Sequence, residues 1–243
     1  MTSFVIKIIA LAAMITDHIG DVYSHAIPES FLMRCIGRLA FPLYAYMIAE
    51  GCRQTKNLKK YMIRLGVFAF ISEIPFDLCF ENMRVRSLND IKFFTANNQN
   101  IFFSLFLAVL AIYIWERLKD TKYILAGVLA FPASAVIAQQ IRSDYGGTAV
   151  IMIAAMYFLP NKITRIAAMV AGVALLYLPM GYTGYIFGHR VPFGFTLFLF
   201  ASAAAVPVFF YNGKRGPGLK YIFYMMYPLH LLILALVQIL PII

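Results

Sequence analysis

The chain has 243 residues, of which 62% are apolar or aromatic and 13% charged, with a mean hydropathy of +0.77. A soluble domain carries roughly 45–50% apolar and about 25% charged residues, so this composition excludes a soluble globular enzyme, a disordered chain and a nucleic-acid-binding module. The net charge of +10 comes from 21 Lys and Arg set in short clusters between apolar runs, which is how a topology signal is distributed and not how a nucleic-acid surface is built.

Apolar runs bounded by charges or by Pro and Gly predict helices over 4–23, 31–51, 61–80, 101–115, 123–138, 147–159, 163–179, 191–211 and 219–240. At about 20 residues per crossing, the expected fold is an all-α polytopic membrane protein. Residues 1–243 form one integral-membrane domain, a single bundle of about nine transmembrane helices. The first run keeps Asp17 and His18 in its core and lacks a clean small-residue cleavage site, so it reads as a retained helix and not as a signal peptide. Loops on one side hold Arg53, Lys56, Lys59, Lys60, Arg117, Lys119, Lys122, Lys162, Arg165, Lys214, Arg215 and Lys220; the other side holds only Arg84, Arg86, Lys92, Arg142 and Arg190. The positive-inside rule then puts the N-terminus in the cytoplasm. The outer loop 81–100 is either a lid or, on length and polarity, a connector. Cys35, Cys52 and Cys79 fall inside spans without metal-like spacing and read as small packing residues. The chain has no internal repeat, unlike many secondary transporters.

An ionisable side chain at span depth costs about 2.5–3.5 kcal/mol on insertion scales, so such groups face the bundle interior and mark a site. The first helix carries Lys7 near its cytoplasmic end and Asp17, His18 and Asp21 toward the outside. Between Lys7 and His18, steps of about 100° bring the chain back to within roughly 20° of the same face, over a rise of about 16 Å. One stripe through Leu11 and Met14 therefore joins the two. Alone, Lys7 reads as a snorkelling lysine and His18 as a hydrogen-bonded packing histidine; with Asp17 beside it, His18 reads as functional. Arg34 and Arg38 open the second helix on the side where Asp17 and Asp21 end the first, so a short hairpin gathers four charges as an ion-pair network or as part of a site. Glu50 lies within one turn of Arg53 and reads as a local pair.

Lys60 and Arg64, four apart on the third helix, are topology determinants by themselves. Together with Lys7 they place three cations at the inner surface, with an arginine fork and lysine point charges suited to phosphate. Glu73 and Asp77 lie one turn apart around Pro75, which frees a backbone carbonyl. His230, after Tyr227 and Pro228, is either a hydrogen-bond partner or a second base. No cysteine cluster or His/Glu pair has ligand spacing, so no metal is expected, and no glycine loop for phosphate or dinucleotide is present. His25 and His189 fall in outer loops away from any chemistry.

In chain order, Lys7-Ile-Ile-Ala-Leu, Asp17-His18-Ile-Gly20, Arg34-Cys-Ile-Gly-Arg38-Leu-Ala-Phe-Pro42, Glu50-Gly51, Lys60-Tyr61, Arg64-Leu65, Ser72-Glu-Ile-Pro-Phe-Asp77, Asn100-Ile-Phe-Phe, Tyr145-Gly146 and Tyr227-Pro-Leu-His230 resemble the TraX family over nearly the whole chain. The family is known for N-terminal acetylation of conjugative pilin and is similar to the transmembrane acyltransferase superfamily. That resemblance implies a bacterial inner-membrane, multi-pass acyltransferase using acetyl-CoA as acyl donor and a peptide, pilin or small amine as acceptor. It implies Lys7 and His18 as the basic-residue and histidine signature, and Lys60 and Arg64 as coenzyme contacts with Arg34 and Asn100. His18 with Asp17, Arg38 and His230 would carry the chemistry, and Glu50, Glu73, Asp77, Tyr145 and Tyr227 would line the acceptor site. Two other classes stay open: a small transporter with the same groups as a proton relay, and a non-enzymatic pilus-assembly factor.

Overall fold

The computed structural model describes residues 1–82, 88–218 and 220–239; Arg84 and Arg86 of the outer loop and positions 219 and 240 of the last predicted span lie outside the described residues. The chain divides into two compact units, Met1–Met47 with Leu159–Phe223, and Ile48–Phe158 with Tyr224–Ile243. Both are mainly helical.

The first unit begins with α1 (Ser3–Val22), capped by the Thr2 hydroxyl, which accepts from Val5 N–H. A tight turn leads to α2 (Ser30–Gly37) and then α3 (Ala40–Gln54), whose first two turns belong to this unit. The predicted second span, 31–51, is thus two helices. Pro42 has no N–H to bond the Arg38 carbonyl, and the chain tightens there, with Leu39 N–H reaching Ile36 O at 3.2 Å. At the α1–α2 crossing, Gly37 packs directly on the Asp17 side chain, where a Cβ would overlap it.

The same unit continues with α8 (Lys162–Tyr177), β1 (Thr183–Ile186), β2 (His189–Pro192), α9 (Phe193–Ser202) and α10 (Ala205–Phe209). The antiparallel pair β1–β2 replaces an expected plain loop and takes the first two residues of the span predicted at 191–211. Pro192 explains the late helix start, since it drives Val191 into the extended region. The two turn residues, Phe187 (φ 47°) and Gly188 (φ 79°), are both left-handed, as a two-residue hairpin turn with the twist of its strands requires. The Glu29 carboxylate accepts the Phe187 N–H at 3.2 Å and ties the turn to the start of α2. Pro207 ends α9 by the same loss of a donor, leaving α10 as a separate turn.

The second unit holds the end of α3, then α4 (Leu58–Phe80), a 3₁₀ turn at Leu88–Asp90, α5 (Ile101–Leu118), α6 (Ile124–Gln140), α7 (Gly146–Phe158) and α11 (Lys220–Ile239) from Tyr224 onward. Asparagine side chains cap α4 and α5: Asn57 accepts from Lys60 N–H and Asn100 from Phe102 N–H. Stacking of Tyr224 on Phe68 (5.0 Å) and an edge contact of Tyr227 on Phe102 (5.1 Å) join α11 to α4 and α5.

Among the described residues, four helical stretches are long and apolar enough to cross a membrane: Ser3–Val22, Ser30–Gln54, Ile101–Leu118 and Tyr221–Ile239. They coincide with the first, second, fourth and ninth predicted spans. Ile124–Gln140, Gly146–Phe158 and Phe193–Phe209 are apolar but shorter. Large apolar side chains on α4 (Ile63, Val67, Phe70, Ile74) and α6 (Leu125, Leu129, Val136) are exposed, as a chain with an apolar solvent requires.

Candidate functional site

In the first unit, the hairpin α1–α2 brings the four predicted charges together. Asp17 is buried at 7% exposure and lies between two guanidinium groups. Arg34 Nη1 sits 3.3 Å from Asp17 Oδ1 and 2.9 Å from Asp21 Oδ2, while Arg38 Nη2 donates to Asp17 Oδ2. Arg38 Nε also donates to the Arg34 carbonyl at 3.2 Å, closing the last turn of α2. Asp17 is a bridging carboxylate whose orientation is set from α2. His18 follows it on α1, half-buried. Lys7, three turns nearer the N-terminus, is also half-buried, with its Nζ 5.7 Å from the centre of the Phe223 ring.

In the second unit, Lys60 and Arg64 occupy the first two turns of α4. Lys60 is exposed, and Arg64 lies 5.7 Å from the Tyr61 ring with its Nε buried and without a hydrogen-bond partner among the described residues. Glu50 accepts from Gln54 Nε2 at 2.5 Å, and Arg53 donates to the Tyr157 carbonyl at 3.0 Å.

A buried polar centre lies where the second half of α4 meets the start of α5. Asn100, fully buried, uses its whole amide: Oδ1 caps α5, and Nδ2 donates to Ala69 O at 2.7 Å and to Glu73 Oε2. The Asn100 N–H also reaches Glu73 Oε2, at 3.3 Å. Tyr227 stands beside Ile101 N–H, within electrostatic reach of Glu73 and Asp144. One turn on in α11, His230 is buried and donates Nδ1–H to Met226 O at 2.7 Å, which leaves Nε2 as the acceptor nitrogen of the ring. Asp77 accepts the Thr95 N–H at 2.6 Å and its hydroxyl at 3.2 Å. Asn82 clasps Lys92 through both backbone groups, N–H to Oδ1 and Nδ2 to O, each at 2.8 Å. The described part of the loop after α4 is therefore fastened to the end of that helix.

Sequence reasoning overlooked Thr95, Asn82, Ser104 and Ser143. Ser104, in the first turn of an apolar run, was the legible signal: its hydroxyl donates to Asp144 O at 2.6 Å and lies 2.7 Å from Ser143 Oγ. The turn so anchored holds Arg142 (φ 53°) and Tyr145 (φ 60°) left-handed, a local strain that surrounding bonds must sustain, before Gly146 (φ 47°), which adopts that conformation freely.

A family model described as TraX protein matches residues 3–238. The chain belongs to the TraX family. It is 30% identical over 247 residues to a protein of Dichelobacter nodosus named probable fimbrial assembly protein FimC, serogroup H1, covering 96% of this chain and 94% of that one. No solved structure matches the chain. In this TraX-family member, the motif residues thus fall into an α1–α2 charge bridge in one unit and a Glu73–Asn100–Tyr227 centre in the other. Asn100→Ala removes the α5 N-cap and takes the side-chain donor from the buried Glu73 carboxylate, while the backbone N–H stays, so the expected loss is roughly 2–4 kcal/mol. Thermal unfolding in detergent measures it.

Proposed function

We propose that this TraX-family chain is a multi-pass protein of the bacterial inner membrane, its N-terminus cytoplasmic and its nine apolar segments crossing the bilayer. It transfers acetyl from cytoplasmic acetyl-CoA to an amine, with a pilin N-terminus as the preferred acceptor. The observation that carries this reading is the order of groups along α1: Lys7 near one end, and His18 next to a carboxylate pinned by Arg34 and Arg38. Family membership and the fimbrial relative support the acceptor class.

In the reaction, the acceptor nitrogen attacks the thioester carbonyl while His18 takes its proton. Collapse of the tetrahedral species breaks the C–S bond, and the imidazolium returns the proton to the CoA sulfur. The cation of Arg38 stabilises the oxyanion, and Lys60 and Arg64 hold coenzyme phosphates. The test is transfer of radiolabel from acetyl-CoA to pilin by the purified full chain. Lys60→Ala/Arg64→Ala is expected to raise KM for acetyl-CoA about tenfold or more with kcat changed little; an unchanged KM removes those residues from coenzyme binding.

The relative's printed name favours a second reading, an assembly factor without chemistry. Pilus assembly by a His18→Ala strain separates the two. Normal assembly with no acetylated pilin in either strain supports the assembly factor.

A further inference from the structure

The loop that follows α4 is bonded back to the end of that helix at three levels. The Asp77 carboxylate accepts the Thr95 N–H and hydroxyl, Glu81 accepts from Asn97 Nδ2 at 3.0 Å, and Asn82 holds both backbone groups of Lys92. Between the Lys92 and Thr95 clasps stand Phe93 and Phe94, 62% and 68% exposed, with the Lys92 side chain exposed beside them. The Thr95 and Asn97 side chains thus reach α4, and the two phenyl rings are left outside.

These bonds fix the depth of the rings. A hydrocarbon core about 30 Å thick takes about 20 residues of helix. Counted from Lys60, exposed in the first turn of α4, it ends near Phe80, and the exposed apolar residues Val67, Phe70 and Ile74 fall within it. Asp77 lies before that limit and Asn82 beyond it, so the segment tied to both is held across the boundary between hydrocarbon and headgroups. A connector in water needs neither the clasps nor two adjacent exposed phenyl rings. At the boundary, apolar rings are driven into the acyl region and a neighbouring ammonium is attracted to lipid phosphate.

We propose that Phe93 and Phe94 are seated in the outer leaflet of the bilayer, with the Lys92 ammonium on the phosphate of phosphatidylglycerol, so that this loop is a membrane anchor and not a lid moving in water. The assignment rests on the reading above that α4 crosses the bilayer, and not on acetyl transfer. A protein partner at the same rings would leave them facing water until it arrived.

The test is tryptophan fluorescence of the full chain in phosphatidylcholine vesicles containing phosphatidylglycerol. Trp115, the one tryptophan of the sequence, is removed by Trp115→Phe, and Phe94→Trp is added. Bromine carried near the top of the acyl chains is expected to lower that fluorescence about twofold, at the shallow depth where interfacial side chains sit, while iodide in the water quenches it far less than it quenches free N-acetyltryptophanamide. Ile74→Trp in the same background is quenched by bromine deeper in the chains and reports the crossing of α4. Lys92→Ala keeps the Asn82 clasp, which is made to backbone groups, and is expected to abolish the extra bromine quenching that phosphatidylglycerol gives over phosphatidylcholine alone. Phe94→Trp open to iodide and insensitive to bromine, with Ile74→Trp still quenched, overturns the anchor alone; loss of bromine quenching at both positions overturns the crossing with it. An unchanged phosphatidylglycerol effect in Lys92→Ala overturns the lysine's part. If Trp115→Phe does not fold, the quenching of Phe94→Trp less that of the parent chain gives the same reading.

Discussion

His18→Ala is expected to lower acetyl transfer by about 10²–10⁴-fold, the range that a positioned general base contributes. The loss falls on kcat, because the imidazole acts on the attacking amine and not on the coenzyme. Steady-state kcat of both proteins at saturating acetyl-CoA and acceptor checks the expectation; full turnover by the variant excludes His18 as the base. His230 is the discriminating control, because its Nδ1 is committed to the Met226 carbonyl one turn back on its own helix, α11.

The second large effect is on stability. Asp17→Ala takes the shared carboxylate from Arg34 and Arg38 and leaves a guanidinium whose side chain is only 12% exposed without its charge partner. Removing one member of a buried ion pair costs about 3–5 kcal/mol. Asp17→Asn, which retains a hydrogen-bond acceptor of similar size, costs less. Removing both members, Asp17→Leu with Arg38→Met, recovers much of the loss, since replacing a buried pair by apolar groups is often neutral. Arg34 then keeps Asp21, at 2.9 Å. Thermal unfolding of the four proteins in one detergent measures the series. A loss under about 1 kcal/mol for Asp17→Ala, the size of a surface pair, would show that the bridge is solvated.

The two variants also separate chemistry from architecture. His18→Ala is expected to fold as wild type and fail in turnover, whereas Asp17→Ala fails first in folding, because the same carboxylate that stands beside the imidazole holds α2 against α1. Gly37 belongs to this account: the absence of a Cβ lets α2 approach close enough for the bridge to form.

Composition and the period of apolar residues determined that this chain is helical, that its surface is apolar, and where the first, second, fourth and ninth apolar segments lie, because burial in lipid leaves a long unbroken signal. Spacing alone also placed Asp17, Asp21, Arg34 and Arg38 at one hairpin, since a short turn between two helices leaves few other geometries. Tertiary structure decided what each polar group touches. Asn100, expected from the resemblance to touch the coenzyme, caps α5 and donates to Ala69 O and Glu73; Arg215, in sequence one topology charge among many, accepts the Phe4 N–H at the start of α1 through its carbonyl. The β1–β2 hairpin and the breaks before α3 and α10 likewise follow from single prolines and left-handed residues, whose effect depends on which backbone partner is present. Periodicity records the solvent that a helix face meets. Hydrogen bonds between residues far apart in the chain leave no period to read.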